Sequence, residues 1–160
     1  METLKKLVYT AFFSGLCPVA PGTAGTLIAV IIYIAEYLVF GDRCRISNLV
    51  LVAVLAVPAV KIADSGEKYF GRKDPPQFVL DEVVGFWIGL LFHGFSWTLV
   101  AAGFVIFRIL DIFKPFPINR AQRLNGGLGV VMDDYIAGIY TNLILWCLVF
   151  FMEYIGVGLV

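Results

Sequence analysis

The apolar run from Tyr135 to Ile155 constrains this chain most, because it matches the roughly 20 residues needed for a helix to cross a bilayer. Four more apolar segments precede it, roughly Thr26 to Phe40, Ile46 to Ile62, Val83 to Phe92 and Trp97 to Ile112. None alternates as a strand would, and lipid forces backbone groups to pair within their own segment, so all five are predicted helical. Val83 to Phe92 is short, and approaches a span only if Phe78 to Glu82 join it; Gly85 and Gly89 make it a close-packing helix. Leu4 to Phe13 reads as an amphipathic helix at the interface. The chain is 60% hydrophobic and 15% charged, whereas soluble domains run at about 45–50% and 25%; a soluble core cannot absorb the excess. The expected fold is therefore all-α, one domain over residues 1–160. It is a polytopic transmembrane helical bundle of about four to five membrane helices plus an N-terminal interfacial helix. Lys5, Lys6 and the apolar residues after them resemble a signal peptide, but no small-residue cleavage site precedes the Pro18 to Pro21 turn, so the segment is expected to be retained.

Twelve basic residues balance twelve acidic ones, which gives no basic surplus for nucleic acid. Sorted onto alternate sides of the predicted spans, Lys5, Lys6, Lys61, Lys68, Arg72, Lys73, Arg108, Lys114, Arg120 and Arg123 share the side of the N-terminus. Only Arg43 and Arg45 fall opposite, which makes the first side cytoplasmic. Cys17, Cys44 and Cys147 form no C-x-x-C pair, and are read as buried small hydrophobes and not as disulfides or zinc ligands. The single histidine, His93, is expected exposed in the loop on the far side. These residues exclude the phosphatases that need two histidines and the C-x5-R thiol phosphatases. No D-x-D pair of the haloacid-dehalogenase kind and no D-G-x-x-A-R core of the CDP-alcohol phosphotransferases occurs either.

Four polar or glycine-rich stretches interrupt the apolar background, from Ser14, Lys73, Phe107 and Gly129, and all fall on the predicted cytoplasmic side. They hold Asp74, Asp81, Glu82, Asp111, Asp133 and Asp134, half the acids of the chain, mostly at the ends of apolar helices, where ionisable groups point to function. Like charges in a partly dry site repel, and a hard cation relieves them: Mg²⁺ takes oxygen ligands and keeps water for a phosphate. Helix capping or ion pairing is the plainer alternative for each acid. Arg108, Asp111 and Lys114 lie three residues apart, so the two cations either grip phosphate or form an ion-pair ladder with Asp111. Pro21 to Thr26 runs into the first span as either an anion site at a helix N-terminus or ordinary turn chemistry.

The stretches contain D-E-x-x-G at Asp81, Glu82 and Gly85, R-x-x-D-x-x-K-P at Arg108, Asp111, Lys114 and Pro115, and D-D-x-x-A-G at Asp133, Asp134, Ala137 and Gly138. Together, from about Ser14 to Gly138, they resemble the phosphatidylglycerophosphatase A family. The resemblance implies an Mg²⁺-dependent phosphatase of phospholipid biosynthesis in the bacterial inner membrane. Its substrate would be phosphatidylglycerophosphate, and its metal site the acidic motif residues. Within those motifs our own assignment gives catalytic work to Asp81, Glu82, Asp111, Asp134, Arg108 and Lys114. Metal binding goes to Asp81, Glu82, Asp111, Asp133 and Asp134, and phosphate binding to Ser14, Gly22, Thr23, Gly25, Thr26 and Lys73. Water or an Asp could serve as nucleophile. An Mg²⁺-dependent transferase acting on a lipid headgroup is the nearer rival and a small transporter the remoter one, since Glu36, read as facing the bundle, is the one mid-span acid. Oligomeric state has no signal in the sequence.

Overall fold

Helices account for nearly all regular structure in the described residues, 2–156 and 158, of the computed structural model, and no strand occurs among them. They are α1 (Glu2–Tyr9), α2 (Pro21–Phe40), α3 (Cys44–Phe70), α4 (Leu80–Gly89), α5 (Trp97–Phe113), α6 (Ile118–Ala121) and α7 (Gly127–Tyr154). The all-helical expectation holds, while several boundaries move. Pro21 opens α2, where a fixed φ suits a first turn, so Pro21 to Thr26 lies inside the helix and not ahead of it. Helix α3 continues to Phe70 and stops at Gly71, whose φ of 69° is the usual left-handed ending. The N-terminal helix ends early, at Tyr9, because Ala11, Phe12 and Phe13 all take positive φ before a 3₁₀ turn at Ser14–Leu16. Helix α7 begins at Gly127, eight residues before the predicted start at Tyr135, which puts Asp133 and Asp134 inside the helix and away from its N-cap, Gly126.

Among the described residues, two helical stretches are long and apolar enough to cross a membrane: Pro21–Phe70, which is α2 and α3 joined by a 3₁₀ turn, and Gly127–Tyr154. Their outer faces, with that of α5, expose Ile31, Val50, Val54, Val57, Val105, Ile109, Leu143 and Phe150, an apolar coat unlike the surface of a water-soluble monomer. Helix α4 differs. Its ten residues rise only about 15 Å, half the hydrocarbon core, and nearly all of them are buried inside the bundle.

What holds α4 there is backbone contact with α7. A Cβ added to Gly138 would lie 2.2 Å from the carbonyl oxygen of Gly85, and one on Gly85 would lie 2.7 Å from that of Asp134. Only glycine at both positions permits this approach. The lower end of α4 is closed by Asn142 of α7, whose Nδ2 donates to the carbonyls of Ile88, Gly89 and Leu91 at 3.3, 3.1 and 2.8 Å. The Ile88 carbonyl also accepts from the Leu91 amide at 3.2 Å, and the amide side chain adds a donor where the last carbonyls of the helix run out of intrahelical ones. Trp87 Nε1 donates to the Ala29 carbonyl at 3.0 Å and Asn48 Nδ2 to the Trp87 carbonyl at 3.1 Å, tying α4 to α2 and α3. On the other side of α7, Asp64 of α3 accepts from the Gly127 amide at 2.6 Å and so sets where the helix begins.

Three expectations about single residues change. His93 is buried, not exposed, because its ring packs on Trp146 of α7 at 4.6 Å between centroids. Cys17 and Cys147 are exposed, and only Cys44 is buried as a small hydrophobe. Glu36 is buried, facing the bundle as expected.

Replacing Gly138 by Val should destabilise the protein by on the order of 1–3 kcal/mol or more, since overpacking here meets backbone and not a movable side chain. Gly103→Ala should cost much less, because its new methyl meets the tip of Leu90, Cδ2 at 3.2 Å. Thermal unfolding of both variants in detergent measures the difference, and equal losses would count against the backbone contact.

Candidate active site

Three helix ends converge on one side of the bundle. The first turn of α4 brings Asp81 and Glu82, the last turns of α5 bring Arg108 and Asp111 with Lys114 just beyond, and the second turn of α7 brings Asp133 and Asp134. Together with Asp74, Pro75, Pro76, Phe78, Ile112 and Val130 they surround a pocket of about 260 Å³, which Arg108 adjoins without lining. The register follows from the glycine contact: with Gly85 seated on Asp134, Asp81 and Glu82 lie one turn above, beside Asp134.

Carboxylate oxygens of Asp81, Glu82 and Asp134 lie within 4.8 Å of one another. Asp81 Oδ1 accepts from the Glu82 amide at 3.1 Å, at the end of α4 where the helix dipole favours negative charge. Glu82 Oε2, Asp133 Oδ1 and Asp134 Oδ1 are buried and accept no hydrogen bond. Buried acceptors of this kind cost free energy unless something binds them. The cations are already engaged. Arg108 Nη1 lies 2.8 Å from Asp111 Oδ2 and 3.4 Å from the Thr26 hydroxyl, and Lys114 Nζ bonds Asp133 Oδ2 with Asp111 Oδ1 at 3.8 Å.

Charge balance shows in the protonation of these groups. Burial, reinforced by the Glu82 charge, pushes Asp81 well above the usual carboxylate range, and burial raises Glu82 to about 7. Burial opposes the Lys114 charge too, but the hydrogen bond and charge of Asp133, with Asp111 behind it, outweigh burial and hold the ammonium above its ordinary value. Asp81, Glu82 and Asp134 thus offer three clustered, undercompensated oxygen donors and fit the oxygen-preferring chemistry of a hard divalent cation.

The same residues carry a family pattern, and the model of the family described as Phosphatidylglycerophosphatase A matches residues 7–149. The chain belongs to this family of lipid phosphatases. It is 38% identical over 142 residues to the phosphatidylglycerophosphatase A of Escherichia coli K12, covering 88% of this chain and 80% of that protein. The Haemophilus influenzae protein of the same name is 31% identical over 148 residues, 91% of this chain and 89% of that one. A Bacteroides thetaiotaomicron protein with the provisional name phosphatidylinositol-3-phosphatase is 39% identical over 147 residues, 89% of this chain and 91% of that one. No solved structure is a significant match.

All the acids named from the family motifs, with Arg108 and Lys114, therefore meet at one place. The residues named for phosphate divide. Gly22 touches the pocket from behind: a Cβ there would lie 2.4 Å from Glu82 Oε1 and 3.2 Å from both Arg108 Nη atoms. Thr26, buried, receives Arg108 and donates its own hydroxyl to the Gly22 carbonyl at 2.9 Å. Ser14, Thr23, Gly25 and Lys73 do not line the pocket. The Ser14 hydroxyl is spent on the Thr10 and Ala11 carbonyls, Gly25 packs on Val79, and Lys73 reaches the Leu124 carbonyl at 3.5 Å from an exposed loop. Asp64 was missed, because its task is to seat the start of a helix 63 positions on, and nothing near it in the sequence announces that.

Gly22→Ala tests the rear wall. The methyl meets the mobile end of Glu82, so stability should change little, while displacement of a carboxylate in the pocket should lower turnover by about 10- to 100-fold. Melting temperature and phosphate release measured on one preparation separate the two effects.

Proposed function

We propose that the chain hydrolyses the terminal phosphomonoester of phosphatidylglycerophosphate, releasing phosphatidylglycerol and inorganic phosphate at the cytoplasmic face of a bacterial inner membrane. The undercompensated cluster of Asp81, Glu82 and Asp134 carries this reading. Those three would hold Mg²⁺, with Asp111 and Asp133 at the edge. Bound there, the ion would neutralise phosphate charge and polarise the phosphorus centre. Lys114, anchored by Asp133 at the pocket wall, would present its ammonium to the equatorial oxygens, and Arg108, held behind Asp111, would add positive charge from outside the lining. In the hydrolysis the oxygen of water attacks phosphorus and the bond from phosphorus to the glycerol oxygen breaks. A water proton passes to a carboxylate, for which Glu82 Oε2, Asp133 Oδ1 and Asp134 Oδ1 have free lone pairs, and the glycerol oxygen takes up a proton. Neither His93 nor any of Cys17, Cys44 and Cys147 lines the pocket, which favours carboxylate chemistry over a histidine or thiol nucleophile. Helices α2, α3, α5 and α7 would cross the bilayer, and α4 with the Leu90 to Ser96 segment after it would carry the chain through the bundle to the far side, leaving the acyl chains among the apolar outer faces and the headgroup at the pocket.

The provisional name of the Bacteroides relative favours a second substrate, phosphatidylinositol 3-phosphate. Hydrolysis of the two lipids side by side by the purified protein decides between them.

Phosphate release from phosphatidylglycerophosphate should require Mg²⁺ and disappear with EDTA; full activity after exhaustive chelation would sink the metal assignment. Asp81→Asn, Glu82→Gln, Asp111→Asn and Asp134→Asn should each lower turnover at least ~100-fold, the usual loss for one well-placed electrostatic group. Asp74→Asn should do less, because its carboxylate is held at the rim by Gln122 Nε2 at 3.1 Å. An Asp74 variant more damaging than the other four, yet folded, overturns that ranking.

Sidedness is checked by single cysteines at Gln77, Gly94 and Gln122 in a background lacking the native three. On intact cells a membrane-impermeant thiol reagent should modify position 94 alone, and reaction at 77 or 122 would reverse the orientation.

A further inference from the structure

Beside the carboxylate pocket lies a second, open depression of about 490 Å³ lined by Arg72, Lys73, Asp74, Gln122 and Arg123. Asp74 lines both, so the two are contiguous. The depression is built from two loops, the one after α3 and the one after α6, joined where Gln122 Nε2 donates to Asp74 Oδ2 and Lys73 Nζ reaches the Leu124 carbonyl. The Asp74 amide in turn donates to Glu67 Oε1 at 3.0 Å, which fastens the first loop to α3. Arg72 and Arg123 are exposed, and among the described residues neither guanidinium has an ion-pair partner. The cations of the carboxylate pocket, Arg108 and Lys114, are by contrast committed to Asp111 and Asp133.

This distribution of charge bears on a substrate with two phosphates. Six carboxylates line the inner pocket, so a second anion has no favourable place there once the phosphomonoester is bound. The rim that shares Asp74 with the pocket offers positive charge without an ion-pair partner. We infer that Arg72 and Arg123, with Lys73 between the loops, hold the phosphodiester of a lipid whose headgroup also carries the phosphomonoester. The rim thereby selects such lipids over phosphatidate, which has a phosphomonoester and no phosphodiester. Arg suits this task because its planar fork meets phosphate oxygens in pairs. The inference rests on the lipid phosphomonoesterase reading above and adds to it the feature of the headgroup that is recognised.

The test compares phosphatidylglycerophosphate with phosphatidate of the same acyl chains, both in neutral detergent micelles, using the full chain and the double variant Arg72→Gln, Arg123→Gln. The preference in kcat/KM for the two-phosphate lipid should fall at least about tenfold, the factor one charge-assisted contact carries. The loss should appear in KM and not in kcat. The pair Arg72→Lys, Arg123→Lys should recover much of it, which a merely structural role for the guanidiniums would not predict. If the double variant does not fold, each single Gln variant gives the same readout with a smaller shift. An unchanged preference, or an equal loss on both lipids, overturns the inference, the second outcome marking the rim as a general anion attractor. Failure of the unsubstituted protein to release phosphate from either lipid would instead remove the functional reading itself.

Discussion

Carboxylates brought together out of water repel one another and resist ionisation, so a bundle that gathers Asp81, Glu82 and Asp134 must offset their charge from elsewhere. The protein does so incompletely. Arg108 and Lys114 sit at the edge and are neutralised mainly by Asp111 and Asp133, which leaves the inner three in deficit. A fold selected only for stability would replace such a cluster with apolar residues. The deficit is one that a hard cation would relieve, and such a cation would in turn let a phosphate approach carboxylates that otherwise repel it.

Geometry at that cluster depends on two glycines well below it. Because Gly85 and Gly138 let the backbones of α4 and α7 touch, the acids on the two helices are separated by backbone dimensions and not by adjustable side chains. Asn142 and Asp64 then fix the height of each helix along its axis. Helices carry the clustered carboxylates, while loops carry the cationic rim beside them.

Much of this was legible in the sequence. The helical segments followed from apolar run length, and the meeting of Asp81, Glu82, Arg108, Asp111, Lys114, Asp133 and Asp134 followed from their motifs and common side. The close-packing reading of Gly85 was also correct, although its partner, Gly138, stood in a motif read for another reason. What could not be read depends on distant partners. His93 is buried by Trp146, 53 positions away, and the Ser14 hydroxyl is consumed by carbonyls of a left-handed turn that no local residue signals. Helix starts were misplaced where glycine and proline suggested loops: Pro21 and Gly127 both turned out to be first-turn residues, so the Pro21 to Thr26 stretch lies within α2 and Asp133 and Asp134 lie beyond the N-cap of α7.

The short, enclosed α4 also sets an order of events during biosynthesis. A ten-residue helix with two acids in its first turn has no stable place in lipid by itself, yet it is made before α7, against which it packs most closely. Docking of α7 then supplies, in one step, the backbone that receives Gly85, the amide that closes the end of α4, and the acids that complete the pocket. Asp134 joins Asp81 and Glu82 only with that docking, so the three-carboxylate centre is completed by the same contact that seats α4.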